Sequence, residues 1–192
     1  MTHKELLRVE NLKTHFQTPQ GIVKAVDGVT FQIPEGTTLG IVGESGCGKT
    51  TLALSILNLI PHAVQGEVWY KGVNLHRLSQ EEMRKYRGRE IAMIFQNPIP
   101  ALNPLEHIGP QVGEAVQAHE RTKWDKLQQM VYEYLGKVEM KDAKKRYKQD
   151  PHKFSGGEGQ RIMLAMALIA GPSLLIADEP VKSLDTLVQR QV

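Results

Sequence analysis

Apolar residues along the chain fall into short runs and into one stretch of helical period. Thr38-Leu39-Gly40-Ile41-Val42, Ala92-Met93-Ile94-Phe95 and Leu174-Leu175-Ile176-Ala177 are compact apolar segments with the length of buried strands. The last follows Pro172-Ser173 and reads as a central parallel strand. Thr51-Leu52-Ala53-Leu54-Ser55-Ile56-Leu57 has the spacing of a buried helix. Between Thr122 and Val138, Leu127, Met130, Val131, Tyr134, Leu135 and Val138 recur at helical spacing, and Pro98 to Lys153 carries no strand signal. Residues 1 to about 37, with Gly66 to Leu75, read as short strands with turn punctuation, a small antiparallel lobe. Strands alternating with helices elsewhere predict a central α/β core.

The junctions between these elements carry the chemistry. Gly43-Glu44-Ser45-Gly46-Cys47-Gly48-Lys49-Thr50 lies between the 38–42 run and the following helix. Glycines at 43, 46 and 48 let the backbone wrap with its N–H groups inward, so a polyphosphate meets a cup of donors at a positive helix end. Lys49 would reach the β- and γ-phosphates and Thr50 would place its hydroxyl on Mg²⁺, with Thr51 continuing the helix start. This predicts binding of ATP or GTP. A glycine-rich turn matching by chance would lack the flanking strand and helix.

Asp178-Glu179-Pro180 ends the 174–177 run, and Gln96 ends the 92–95 run. Strand C-terminal ends are where ligands sit in open α/β sheets. Asp178 would hold Mg²⁺ through water, and Glu179 is placed to polarise the water that attacks a γ-phosphate. Gln96 could contact both the metal and that water. Taken alone, paired carboxylates at a strand end also describe a solvated turn.

Composition narrows the class. A chain of 192 residues buries a real core in one compact domain. No run of eighteen apolar residues occurs, and Thr2-His3-Lys4-Glu5 is unlike a signal sequence, so the expectation is a cytosolic protein. Cys47 is the single cysteine, which excludes an internal disulfide; it reads as a small loop residue rather than a nucleophile. The net charge of +3 is too small to argue for nucleic acid. The densest basic run, Lys141, Lys144, Lys145, Arg146 and Lys148, is interrupted by Asp142 and accompanied by one aromatic, Tyr147. It reads as a solvated helix face.

Phe154-Ser155-Gly156-Gly157-Glu158-Gly159-Gln160-Arg161 precedes an apolar helix containing Ile162, Leu164, Ala165, Ala167 and Leu168. Out of context, Ser-Gly-Gly is an ordinary helix-capping turn. In the order phosphate loop, glutamine, Ser-Gly-Gly, Asp-Glu, it resembles the signature of ATP-binding cassette (ABC) ATPases. Gly21-Ile22-Val23-Lys24-Ala25-Val26-Asp27-Gly28-Val29-Thr30-Phe31, Ile94-Phe95-Gln96-Asn97-Pro98, Ala101-Leu102-Asn103-Pro104 and Ile108-Gly109 narrow the resemblance to the ATPase subunits of dipeptide, oligopeptide and nickel importers. It runs from about Leu7 to the end.

The resemblance implies a P-loop NTPase core with an N-terminal antiparallel β lobe and an α-helical subdomain, a single nucleotide-binding domain incomplete at its C-terminus. Its lobes would be 1–37 with 66–75 for the β lobe, 38–60 with 88–96 and 160–192 for the core, and 97–159 for the helical subdomain. It also implies that Gln96 belongs to a loop linking the nucleotide site to a transmembrane partner. Phe16 would lie against adenine, although a phenylalanine there could be core. Ser155, Gly156 and Gly157 would face the γ-phosphate held by a second ATPase subunit, identical or homologous, and Asp185 would lie in the loop at that boundary. The partners implied are transmembrane permease subunits, that second ATPase and, indirectly, an extracytoplasmic substrate-binding protein, with no nucleic acid. The place implied is the cytoplasmic side of the membrane, peripherally, and the activity is hydrolysis of Mg-ATP coupled to uptake of peptides or nickel.

The chain departs from that family in places. All seven histidines precede Asp178, so none occupies the family's switch position, and the chain ends at Val192 within an expected helix, Thr186 to Val192. It therefore reads as a fragment or shortened form. Val181-Lys182-Ser183 replaces small and hydroxylic residues before Leu184-Asp185, and Gly159 weakens a helix start by up to about 1 kcal/mol. These departures touch hydrolysis more than nucleotide binding. Two other readings stay open: a non-catalytic ATP-binding regulatory or interaction subunit, and a soluble ABC ATPase of nucleic-acid metabolism, which would call for basic or coiled-coil insertions and a second cassette.

Overall fold

The structure, a computed structural model, describes residues 4–60 and 64–180. The expected helix over Thr186 to Val192, the substituted Lys182 and the candidate Asp185 lie outside the described residues. The chain divides into two compact units, Met1–Arg84 and Lys85–Val192.

In the first unit, β1 (Glu5–Thr18) and β2 (Gly21–Pro34) form a long antiparallel hairpin joined at Thr18 and Gly21. Pro19-Gln20 makes the turn, with Gly21 at φ 125° supplying a conformation that side chains resist. β3 (Val64–Tyr70) adds to the other side of β1, and β4 (Val73–Asn74) to β3, giving the order β2-β1-β3-β4. Leu7, Val9, Leu12, Val68 and Tyr70 are buried on this sheet. The helix α1 (Lys49–Ile56) lies against β1 and β2, burying Leu52, Ala53 and Ile56. Thr14 and Ser55, both fully buried, share a 2.7 Å hydrogen bond that ties β1 to α1. Ser55 Oγ also donates to Thr51 O, so that interior polar pair is satisfied. A short helix, α2 (Gln80–Arg84), ends the unit and buries Met83.

The expected strand at Thr38–Val42 is a correction. These residues are irregular and exposed, with Val42 97 % exposed. A strand exists through its ladder, and no described residue pairs with this segment.

In the second unit, β5 (Ile91–Ile94) and β6 (Leu174–Ala177) pair in parallel, Ile91 opposite Leu174 and Ile94 opposite Ala177. Both expected strands are present, and among the described residues β6 has β5 as its neighbour. The rest is helical: α3 (Ile108–Gln117), α4 (Trp124–Lys137), the single turn α5 (Ala143–Arg146) and α6 (Gly156–Leu168). Leu127, Val131 and Leu135 form one stripe of α4, facing Ile108 and Val112 of α3 and Ile162 and Ala165 of α6. Gly109 permits the close approach of Tyr147, whose ring would lie 2.2 Å from an added Cβ. No helix among the described residues is long and apolar enough to cross a membrane.

Candidate functional site

In the first unit the chain enters α1 through the glycine-rich loop. Gly46 and Gly48 sit at φ 81° and 98°, and Gly48 is the N-cap residue. No side chain caps the helix and no acidic residue occupies its first turn. The leading amides of α1 therefore keep the positive end of the helix available to an anion. Space demands Gly48 as well, since a Cβ there would stand 2.0 Å from the backbone Ala25 O, whereas one on Gly43 would meet the Cys47 Sγ at 2.6 Å, an atom that can turn aside.

Lys49 folds back over the loop, its Nζ donating to Gly43 O at 2.9 Å and to Glu44 O at 2.8 Å, with Cys47 Sγ at 3.7 Å. The ammonium is thereby parked on backbone carbonyls inside the ring that Gly43 to Lys49 makes, where an arriving phosphate would replace them. Glu44, Ser45, Cys47 and Thr50 are exposed along the loop, and Thr51 opens the buried part of α1. Beside it is a cavity of about 420 Å³ lined by Ala25, Val26, Phe31, Ile41, Gly48 and Lys49, among others. Phe16 is half-buried in β1, opposite Val23 of β2, and does not line that cavity.

In the second unit the parallel pair delivers its residues as its register dictates. Ile94 and Ala177 are partners, so the chain leaves β5 into Phe95-Gln96 and β6 into Asp178-Glu179 at the same end. Asp178 N donates to Ile94 O at 3.0 Å, extending the ladder by one bond, and the Asp178 side chain is buried. Gln96 Nε2 donates to Glu179 Oε2 at 2.5 Å. Glu179 has φ 47°, a left-handed backbone that a glutamate rarely adopts and that costs on the order of 1–3 kcal/mol. Backbone strain of that kind collects at working sites. The three candidates at the two strand ends are thus gathered within this unit, and no group of three acidic, histidine or cysteine side chains forms a metal cluster among the described residues.

Ser155 is the N-cap of α6, where its hydroxyl accepts from Glu158 N while Glu158 Oε2 accepts from Ser155 N at 3.0 Å. This capping box leads Gly156 and Gly157 into the first turn. The space at Gly159 is taken by the Ile99 side chain, whose Cδ1 lies 2.6 Å from where a Cβ would be, so a larger residue there requires Ile99 to shift. Two residues of this region had no individual role in the sequence reading. Gln160 is 5 % exposed with neither amide atom partnered, and Arg146 pairs with Glu158 at 2.9 Å. A glutamine amid Ile162 and Met163 is the signal that could have singled out the first; nothing in the spacing marks the second.

The ABC transporter family model matches residues 26–182. A probable peptide ABC transporter ATP-binding protein, y4tR, of Sinorhizobium fredii is 47% identical over 97% of this chain, and the dipeptide transport ATP-binding protein DppD of Bacillus subtilis is 45% identical over 98%. The chain spans 57% and 58% of their lengths. Among solved structures, the dimeric post-hydrolysis ATP-binding cassette MJ0796, bound to ADP and Pi, superposes with a TM-score of 0.86 at 26% identity, covering 97% of this chain and 79% of that one. The phosphate loop, the strand-end carboxylates and the capped Ser-Gly-Gly helix all lie within or beside the matched span, and with it they establish that the chain belongs to the ABC transporter family of ATP-binding cassettes.

Proposed function

We propose that this chain is the ATP-binding subunit of an importer, taking up Mg-ATP and hydrolysing it to drive peptide uptake through partner membrane subunits. The observation that carries the reading is the loop from Gly43 to Thr50, with Lys49 held on its carbonyls above the uncapped start of α1. Its amides and Lys49 take the phosphates. Mg²⁺ would neutralise phosphate charge; the candidate oxygen donors for it are Thr50 within the first unit and Gln96 and Asp178 within the second. Thr50 and Asp178 offer hard oxygen donors, as that ion requires. Glu179, oriented by Gln96, accepts a proton from the attacking water. Ser155, Gly156 and Gly157 present the start of α6 to nucleotide on a second ATPase subunit, and Asp185 belongs to that boundary. Phe16 stacks on adenine.

The peptide relatives favour peptides over nickel as cargo, and the dimeric cassette supports a second ATPase chain, identical or homologous. An extracytoplasmic binding protein would deliver the cargo, and the subunit would sit peripherally on the cytoplasmic side of the membrane. The test is steady-state Mg-ATP hydrolysis against protein concentration, with Lys49→Ala as the blank. Turnover above the blank that rises faster than linearly is expected; turnover equal to the blank at every concentration refutes hydrolysis by this chain.

A further inference from the structure

Glu158 occupies an awkward place. Its carboxylate lies in the first turn of α6, where it completes the capping box and suits the helix dipole. The same charge opposes any phosphate brought to that helix end. It also takes up the signature serine: Ser155 Oγ lies 3.2 Å from Glu158 Oε2, while Oε2 receives Ser155 N as well. The other carboxylate oxygen, Oε1, is bound by Arg146 Nη2 at 2.9 Å.

Arg146 is itself well held. Its Nη1 donates to Gln149 Oε1, and its guanidinium stands 5.4 Å from the centre of the Phe154 ring. Arg146 and Glu158 are both about a third exposed, so the pair is neither buried nor freely solvated. Arg161, one turn on, bonds Val138 O at 2.8 Å and Glu139 Oε2 at 3.2 Å, while Arg146 is the cation on Glu158 among the described residues.

We propose that Arg146 is a positioning residue for the signature serine: it neutralises Glu158 and holds it against Ser155, so that the start of α6 is rigid without repelling the terminal phosphate presented by a second subunit. The role rests on the proposed function above. It assigns Arg146 no contact with nucleotide. Phosphate capture by a single chain belongs to Lys49 and its loop, so the loss of Arg146 should spare it.

The experiment measures three things on the chain: binding of a fluorescent ATP analogue at low protein concentration, ATP-driven self-association by sedimentation, and Mg-ATP turnover. Arg146→Gln is expected to bind nucleotide as the wild type does, while association and turnover fall about twofold to fivefold, the scale of one partly exposed charge contact. The deficit should shrink as salt rises through about 0.15 M, because the repulsion of an unpaired Glu158 is screened. Arg146→Lys should restore most of the loss, and adding Glu158→Gln to Arg146→Gln should restore it by removing the charge. Glu158→Asp, which draws the carboxylate back from Arg146, carries the same expectation and decides the matter if Arg146→Gln melts early. Full association and turnover in Arg146→Gln, or a loss that neither Arg146→Lys nor Glu158→Gln relieves, overturns the positioning role alone. A wild-type chain with neither turnover above Lys49→Ala nor ATP-driven association overturns the proposed function, and this role with it.

Discussion

Gly48→Ala is the sharpest test of how the phosphate loop is built, because two separate costs meet there and a neighbouring glycine carries one of them. At φ 98° an alanine pays the left-handed backbone penalty, about 1–2 kcal/mol. Its Cβ would also stand 2.0 Å from Ala25 O and 3.1 Å from Ala25 C, and both are backbone atoms that no rotamer change can move aside. Forcing β2 and the start of α1 apart adds about 1–3 kcal/mol, as overpacking does elsewhere. The expected loss is therefore about 2–5 kcal/mol, a large part of the roughly 5–15 kcal/mol that holds a domain folded. Gly46→Ala is the control, since its φ of 81° carries the same backbone penalty and nothing lies within 4 Å of its Cβ. It should lose only about 1–2 kcal/mol. Urea unfolding followed by circular dichroism gives both values, and titration with a fluorescent ATP analogue should show Gly48→Ala losing nucleotide first. Equal losses within about 0.5 kcal/mol, the ordinary additivity error, would refute the argument that Ala25 presses on Gly48.

Ser55→Ala should cost about 1–3 kcal/mol by orphaning the buried Thr14 hydroxyl, whereas Ser55→Ala combined with Thr14→Val should cost much less than the sum of the two singles; urea midpoints of the four chains measure it, and strict additivity counts against the coupling. The Asp150 carboxyl is held below its ordinary value of 3.8, first by Lys153 and then by His107. A lowered folded pKa stabilises above the unfolded value and is lost as pH falls through the folded one. Asp150→Asn should therefore lower the thermal midpoint at neutral pH, with the gap to wild type closing as the pH drops below 3.8; a gap that is unchanged at pH 3 is the contrary result.

Contiguous turns and helix stripes were more legible in the sequence than the pairing of distant strands. The glycine-rich loop from Gly43 to Thr50 and the strand end at Asp178-Glu179 could be located from local order alone, because each is contiguous in the chain. The α4 stripe was equally plain: Leu127, Val131 and Leu135 recur every four residues and all are buried. The Gln96–Glu179 hydrogen bond joins residues eighty-three apart in sequence and depends on the parallel register of β5 and β6, which no local pattern states. Arg146 was invisible as a partner for Glu158 because it sat in a basic run whose other members, Lys141, Lys144, Lys145 and Lys148, are exposed as a solvated face would be.

The segment 38–42 shows why an apolar run is not yet a strand. Apolar spacing reports what a segment would gain from burial, about 25 cal/mol per Å² of surface removed from water, and nothing about whether a neighbour is there to supply the burial. Leu39, Ile41 and Val42 have the residues for it, yet they are 44 %, 48 % and 97 % exposed. Ala92-Met93-Ile94-Phe95 is no more apolar, but its backbone meets Leu174 to Ala177, and the strand forms over Ile91–Ile94. What separates the two runs is the ladder, since each unpaired amide and carbonyl prefers water to a half-made sheet. The loop that follows depends less on that ladder. Gly48 lies against Ala25 of β2 and Lys49 holds Gly43 O and Glu44 O, so the glycine-rich loop keeps these contacts even where the segment leading into it runs exposed.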